Sequence, residues 1–204
     1  MTSEGHLEHR RREILDAAVK CFEATGYATT TMEAIAHQAG IAKGSVYNYF
    51  SSKRDLFAEL FNEFMTGYKA DYDRLAGQPI SATEKLTQLL DAWFAKIEPT
   101  RRIGRLIFEF WATAADQEQN DVSAWFSKTY ADWRERLAAV ISEGIERGEF
   151  REGFDVETAA SLIIATVDGL TVQGILDGQM KVDAEFLAAL KRAILTGLTA
   201  RQDA

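Results

Sequence analysis

Apolar residues recur at helical spacing along almost the whole chain, and no convincing alternating run interrupts them. A sequence patterned this way can bury its apolar faces only by packing helix on helix. Ile14, Ala18 and Phe22 repeat every four residues, with Leu15 and Val19 beside them. Leu56, Phe57, Leu60, Phe61, Phe64, Met65 and Tyr68 form a wide face on a long helix over 53–72. Leu86, Leu89, Leu90, Trp93, Phe94 and Ile97 mark another, which Pro99 ends. A short apolar helix is predicted over 103–111 and the longest over 120–147. The segment 156–176 is apolar nearly all round, and Phe186, Leu187, Leu190, Ile194 and Leu198 mark the last helix. The expected fold is all-α, with about nine helices.

Punctuation between these runs is most informative near the start. Gly26 is placed to end the first helix. Thr30 and Glu33 read as a capping box that opens a short helix to Gln38. Ala39-Gly40-Ile41-Ala42 then interrupts, and a second short helix is predicted over 43–50. Ser52 with Asp55, and Ser81 with Glu84, read as further capping boxes. Two short helices around a glycine-containing turn, braced by a longer preceding helix, form a helix-turn-helix module. In such a module the second short helix enters the DNA major groove. Lys43, Gly44 and Ser45 lie at its start, where backbone N–H groups and the helix dipole favour phosphate. Tyr47 and Tyr49 can offer hydroxyls to phosphates and ring faces to thymine methyls, although Tyr47 could equally be core. Arg10, Arg11 and Arg12 are either an arm along the DNA backbone or a solvated run.

Charge supports a division of labour. The net charge is −8. Through Asp55 seven basic residues balance seven acidic ones, so the remainder, with 16 basic against 24 acidic, carries the whole excess. Local rather than total charge decides where a polyanion can approach. The chain has one cysteine, Cys21, expected to be a small buried residue, and His6, His9 and His37 all fall in the same first quarter. No metal spacing, phosphate-cradling glycine loop or nucleophile motif appears elsewhere, so neither an enzyme, a metal nor a cofactor is expected. The opening residues show no secretory signal. Asp168 and Gly169 break the most apolar run, which argues against a membrane span and for a cytoplasmic protein.

The stretch TTTMEAIAHQAGIAKGSVYNYFSSKRDLF resembles the DNA-binding domain of the tetracycline-repressor (TetR) family, and the preceding RRREILDAAVKCFEATGY fits that family's first helix. The resemblance rests on Thr-x-x-x-Ile-Ala-x-x-Ala-Gly-Ile, the Gly-x-x-Tyr-x-Tyr-Phe run and the following Lys. It implies that Thr31, Lys43, Gly44, Ser45, Tyr47, Tyr49 and Lys53 contact DNA, and that Ile35, Ala36 and Phe50 pack the module. Position 42 departs from the pattern: Ala42 stands where the family often has a capping Ser or Thr, a loss of about 1 kcal/mol.

The expected organisation is a DNA-binding domain over 1–52 and a helical effector-binding and dimerisation domain over 53–204. All four tryptophans, Trp93, Trp111, Trp125 and Trp133, fall within the second. The resemblance implies an effector cavity there, and the candidate lining is Phe64, Tyr68, Trp93, Glu109, Phe110, Trp111, Trp125, Phe126, Tyr130 and Asp168. A helix apolar all round must be covered on every side. Two-fold pairing with a second copy would cover it, through Leu162, Ile163, Val167, Leu170, Phe186, Leu190 and Ile194. The resemblance implies the same four-helix interface. The function expected is a ligand-responsive regulator, foremost a repressor that binds a palindromic operator as a homodimer and is released by a small lipophilic or aromatic effector. The alternative is a protein of the same build acting as an activator or through protein partners.

Overall fold

The computed structural model describes residues 3–96, 104, 106, 108, 120–177, 180 and 182–199. These residues form eight α-helices: α1 (Ser3–Thr25), α2 (Met32–Gln38), α3 (Lys43–Tyr47), α4 (Lys53–Ala76), α5 (Ala82–Phe94), α6 (Asn120–Glu146), α7 (Val156–Leu176) and α8 (Ala184–Leu198). Among the described residues no strand forms, only an isolated antiparallel bridge between Phe150 and Thr199. The helix expected over 103–111 falls largely outside the described residues, although Gly104, Leu106 and Phe108 have helical backbone. No described helix is long and apolar enough to cross a membrane.

The chain divides into two compact units. One spans residues 1–67 and takes in Leu106 and Phe108; the other holds residues 68–96, Gly104 and the described residues from 120 onward. The division falls inside α4, not at its start.

In the first unit, Ile14, Leu15, Ala18 and Phe22 of α1 are fully or almost fully buried, as their spacing predicts. Ile35 and Ala36 of α2, Val46 of α3, then Phe50, Leu56 and Phe57 complete the core. Phe22, Tyr27 and Phe57 meet edge-on or tilted, with ring centroids 5.1–5.8 Å apart. One cap is displaced from the sequence expectation. α2 is capped by Thr31, whose hydroxyl accepts from the Ala34 N–H at 3.1 Å. Thr30 is instead buried, with its hydroxyl donating to the Gly26 carbonyl at 2.7 Å, so it fastens the end of α1. The Ser52 and Ser81 caps form as predicted, each accepting an N–H three residues on at 3.0 Å.

In the second unit, α6 packs along α7 and α5, and α5 also meets α8. Leu86, Leu89 and Leu90 of α5 and Leu137, Val140 and Ile141 of α6 fill the interior. Lys85 is only 4% exposed. Its ammonium donates to both Glu143 oxygens at 2.8 and 2.9 Å and to the Ala76 carbonyl at 3.1 Å, so the buried charge is paired and hydrogen-bonded. The hydrogen bond from Lys85 holds the Glu143 carboxyl below the usual glutamate range. Glu149 accepts from the Ala82 and Thr83 N–H groups at 3.1 and 2.9 Å and so caps α5 from across the unit. Gly144 lies against the buried Phe150 ring; a Cβ there would come within 2.2 Å of it.

Gly144→Ala should therefore displace Phe150 and cost about 1–3 kcal/mol by denaturant melting. A carboxyl held below its unfolded value contributes stability that is full above the ordinary glutamate range and is lost as pH falls through it. Glu143→Gln should accordingly flatten the acid limb of the stability–pH curve relative to wild type.

Candidate nucleic-acid interface and effector site

The turn between α2 and α3 depends on Gly40, whose φ of +68° suits glycine. Its N–H donates to the His37 carbonyl, and the Ile41 N–H reaches the Ala36 carbonyl at 3.0 Å. α3 has five residues, and its N-cap, Ala42, contributes no side-chain hydrogen bond, as the sequence predicts. Val46, fully buried, and Phe50, 3% exposed, hold this short helix onto the core. Lys43, Gly44, Tyr47 and Asn48 consequently face outward. Tyr47 is 47% exposed, which removes the core alternative for that residue. Ser45 and Tyr49 are half-buried. The Lys43 ammonium lies 3.5 Å from the Glu33 carboxylate, so the first turns of α2 and α3 adjoin and Thr31 shares their exposed rim. Apart from its chain neighbours and its own helix backbone, no described residue comes within 4 Å of where a Cβ on Gly44 would stand, leaving its backbone open to close approach.

Other basic residues of this unit have internal work. The Arg11 guanidinium pairs with Glu59 (Nε–Oε1 2.6 Å), donates to the Tyr49 carbonyl at 3.3 Å and stacks 4.6 Å above the Phe50 ring. Arg12 pairs with Glu63 at 2.6 Å, and Arg10 with Glu13 at 2.7 Å. Arg11 and Arg12 thus fasten α1 to α4. Lys53 donates to the carbonyls of Tyr27, Ala28 and Thr30 at 2.5, 3.1 and 2.8 Å and sits over the Tyr27 ring. Its ammonium braces the α1–α2 connection. Local sequence spacing could not reveal pairs separated by about fifty positions. Cys21 is half-buried rather than buried, and burial pushes its thiol upward.

The second unit gathers several predicted lining residues into two ring clusters. Tyr68, Trp93 and Trp133 meet edge-on, with Trp93 and Trp133 centroids 5.3 Å apart. Trp125 meets Phe126 at 4.9 Å, and Phe126 stacks on Tyr130 at 6.4 Å. Phe126, Tyr130 and Trp133 follow one another at helical spacing on α6. Tyr130 donates its hydroxyl to Asp168 of α7 at 2.9 Å. Burial pushes the Asp168 carboxyl up, against the opposing hydrogen bond from Tyr130. Burial, with Asp168 adding to it, also raises the Tyr130 hydroxyl, which stays a proton donor at neutral pH. Glu109, Phe110 and Trp111 lie outside the described residues, as does the side chain of Phe64.

α7 and α8 leave an open groove of 310 Å³, lined by Arg151, Phe154, Thr158, Leu162, Thr166, Ile194 and neighbours. Leu162, at 63%, and Phe186, at 37%, are exposed, and Val167, Leu190 and Ile194 are half-buried. Ile163 and Leu170 differ from expectation: at 4% and 6% exposure they are already buried within their own subunit, where α7 packs on α6.

Comparison with known proteins follows the same division. Residues 14–60 match the family described as bacterial regulatory proteins, tetR family, and residues 82–200 match the BetI-type transcriptional repressor C-terminal domain. The chain is 28% identical to the fatty acid metabolism regulator protein of Bacillus subtilis, over 90% of each chain. It is 32% identical to the transcriptional repressor KstR2 of Mycolicibacterium smegmatis, over 72% of this chain and 71% of that one. The crystal structure of FadR from Bacillus subtilis in complex with stearoyl-CoA superposes with a TM-score of 0.70 at 26% identity, covering 93% of this chain and 97% of that one.

The rim and its braces should separate on mutation. Lys43→Ala and Tyr47→Ala should leave thermal stability within about 0.5 kcal/mol of wild type. Lys53→Met, which strands three carbonyls, should cost roughly 1–3 kcal/mol in the same melt.

Proposed function

The chain belongs to the tetR family of bacterial regulatory proteins, and from that premise we propose that it is a dimeric repressor, released from a palindromic operator by a small lipophilic effector. The observation that carries this reading is the outward face of α3, where Lys43, Gly44 and Tyr47 stand free of the core that holds the helix. Lys43 and Thr31 would take phosphates, with Gly44 admitting the backbone close to DNA and Tyr47 and Tyr49 resting on sugar, phosphate or thymine methyl. Ser45 would support the same contacts. Lys53 and Arg11 would act one step back by holding this surface in shape.

Leu162, Phe186 and the groove between α7 and α8 support pairing with a second copy, since an exposed apolar face beside a helix apolar all round needs a cover. Val167, Leu190 and Ile194 would join that interface. Two heads related by two-fold symmetry would then meet half-sites about 34–36 Å apart or slightly more. The ring clusters of the second unit support an effector with an apolar body, and the similarity to FadR of Bacillus subtilis, crystallised in complex with stearoyl-CoA, supports a lipophilic one. α4 contributes residues to both units, so it is the natural carrier of the signal. Effector and operator would oppose each other reciprocally, with coupling of about 1–3 kcal/mol. Such a regulator works in the cytoplasm, beside its DNA.

A mobility shift with the full chain on its own upstream DNA, with competitor at fixed salt, tests the reading. A discrete, salt-sensitive shift is expected, and Leu162→Lys should yield a monomer with affinity reduced roughly a thousandfold, toward the non-specific level. A Leu162→Lys monomer that keeps wild-type affinity would contradict the symmetric dimer.

A further inference from the structure

The second unit contains one acid whose surroundings are unlike those of its other charges. Lys85, Glu143, Asp91, Asp71, Asp73 and Arg136 all stand in ion pairs. Asp168 does not. It is half-buried on α7, accepts the Tyr130 hydroxyl at 2.9 Å, and has no basic partner among the described residues. Tyr130 stacks on Phe126, which in turn meets Trp125, while Trp133, one turn along the same helix, belongs to the second cluster with Trp93. A half-buried carboxylate without a counter-ion among the described residues is disfavoured unless something positive joins it. Ring faces add attraction for a cation, above all one with a diffuse charge and an alkyl surface. In the other ring cluster, with Tyr68 and Trp133, the Trp93 Nε1–H is buried with no acceptor among the described residues, an orphaned donor of the kind that a bound molecule satisfies.

We propose that Tyr130 and Asp168 are the polar anchor of the effector site and select a cationic lipophile, an apolar body carrying an ammonium group, over an anion of the same size. This rests on the reading of the second unit as an effector domain and adds the charge of the ligand to it. Tyr130 orients the carboxylate by donating to one oxygen and leaves the other lone pairs for the ligand. The rings Trp125, Phe126 and Tyr130 supply the remaining wall. An anionic head would meet an uncompensated carboxylate at the same place, so the preference comes as much from repulsion as from attraction. Burial keeps the Tyr130 hydroxyl protonated, so its donation to Asp168 persists across the physiological range.

Calorimetric titration of the full chain with decyltrimethylammonium, decanol and decanoate, each below its micellar concentration, tests this. Wild type should bind the ammonium at least tenfold more tightly than decanoate, with decanol between them. Asp168→Asn keeps an acceptor for Tyr130 and removes the charge, so it should lose that preference while its affinity for decanol stays within about twofold. Tyr130→Phe should weaken the preference without abolishing it. Equal or tighter binding of decanoate by wild type, retention of the ammonium preference by Asp168→Asn, or no binding of any probe would each overturn the proposal. Operator binding in the same preparations separates this from the regulatory reading. Loss of charge selectivity with an intact mobility shift defeats the anchor alone, whereas charge-selective binding with no shift on any DNA defeats the repressor reading alone.

Discussion

A five-residue helix cannot persist by itself, because nucleation costs more than one turn returns. α3 also lacks a side-chain cap. It exists because Val46 and Phe50 are buried in the first unit, whose core also holds Ile14, Phe22, Ile35, Leu56 and Phe57, and everything proposed for the DNA-facing surface depends on that anchorage. Arg11 adds to it by stacking on Phe50 and holding the Tyr49 carbonyl, while Glu59 fixes Arg11 in turn. Lys53 ties three carbonyls of the α1–α2 connection and so fixes how α2 enters the module. The outward residues Lys43, Gly44 and Tyr47 can therefore vary with little regard to stability, whereas Thr31 on the same rim also caps α2.

The second unit uses charge differently. Lys85 with Glu143, and Glu149 on the first N–H groups of α5, bind the start of α5 to the end of α6 where apolar packing gives way to a loop. Toward the start of α6 rings recur from Trp133 to Trp125, beside the pairs that Arg136 makes with Asp132 and Asp73. Tyr130–Asp168 is the polar contact that joins α6 to α7 within that aromatic stretch.

Much of this was legible in the sequence because it is local. Helical periodicity placed α5, and the bounds of α7 at Val156 and Leu176 were recovered from apolar density and flanking loops. The Ser52 and Ser81 caps follow from spacing alone, because the serine oxygen and the N–H that donates to it lie three residues apart. The same logic slipped by one position at Thr30: both Thr30 and Thr31 can cap, and the choice is decided by Gly26 and Cys21, whose carbonyls capture the Thr30 hydroxyl. The braces made by Arg11, Arg12 and Lys53 are not legible in the sequence because their partners, Glu59, Glu63 and the Tyr27, Ala28 and Thr30 carbonyls, are remote along it. Ile163 and Leu170 looked available for a second copy because an apolar helix does not reveal which of its sides its own neighbours occupy. The partner of Asp168 was equally invisible: thirty-eight positions separate it from Tyr130.

The central claim is that two copies of the α3 face read DNA together while buried neighbours hold each in place. Hydroxyl-radical footprinting of the full chain on its upstream DNA tests it most directly. The account predicts two protected patches on one side of the duplex, about one helical turn apart or slightly more, related by two-fold symmetry. A single protected patch, or protection spread evenly without symmetry at saturating protein, would contradict it.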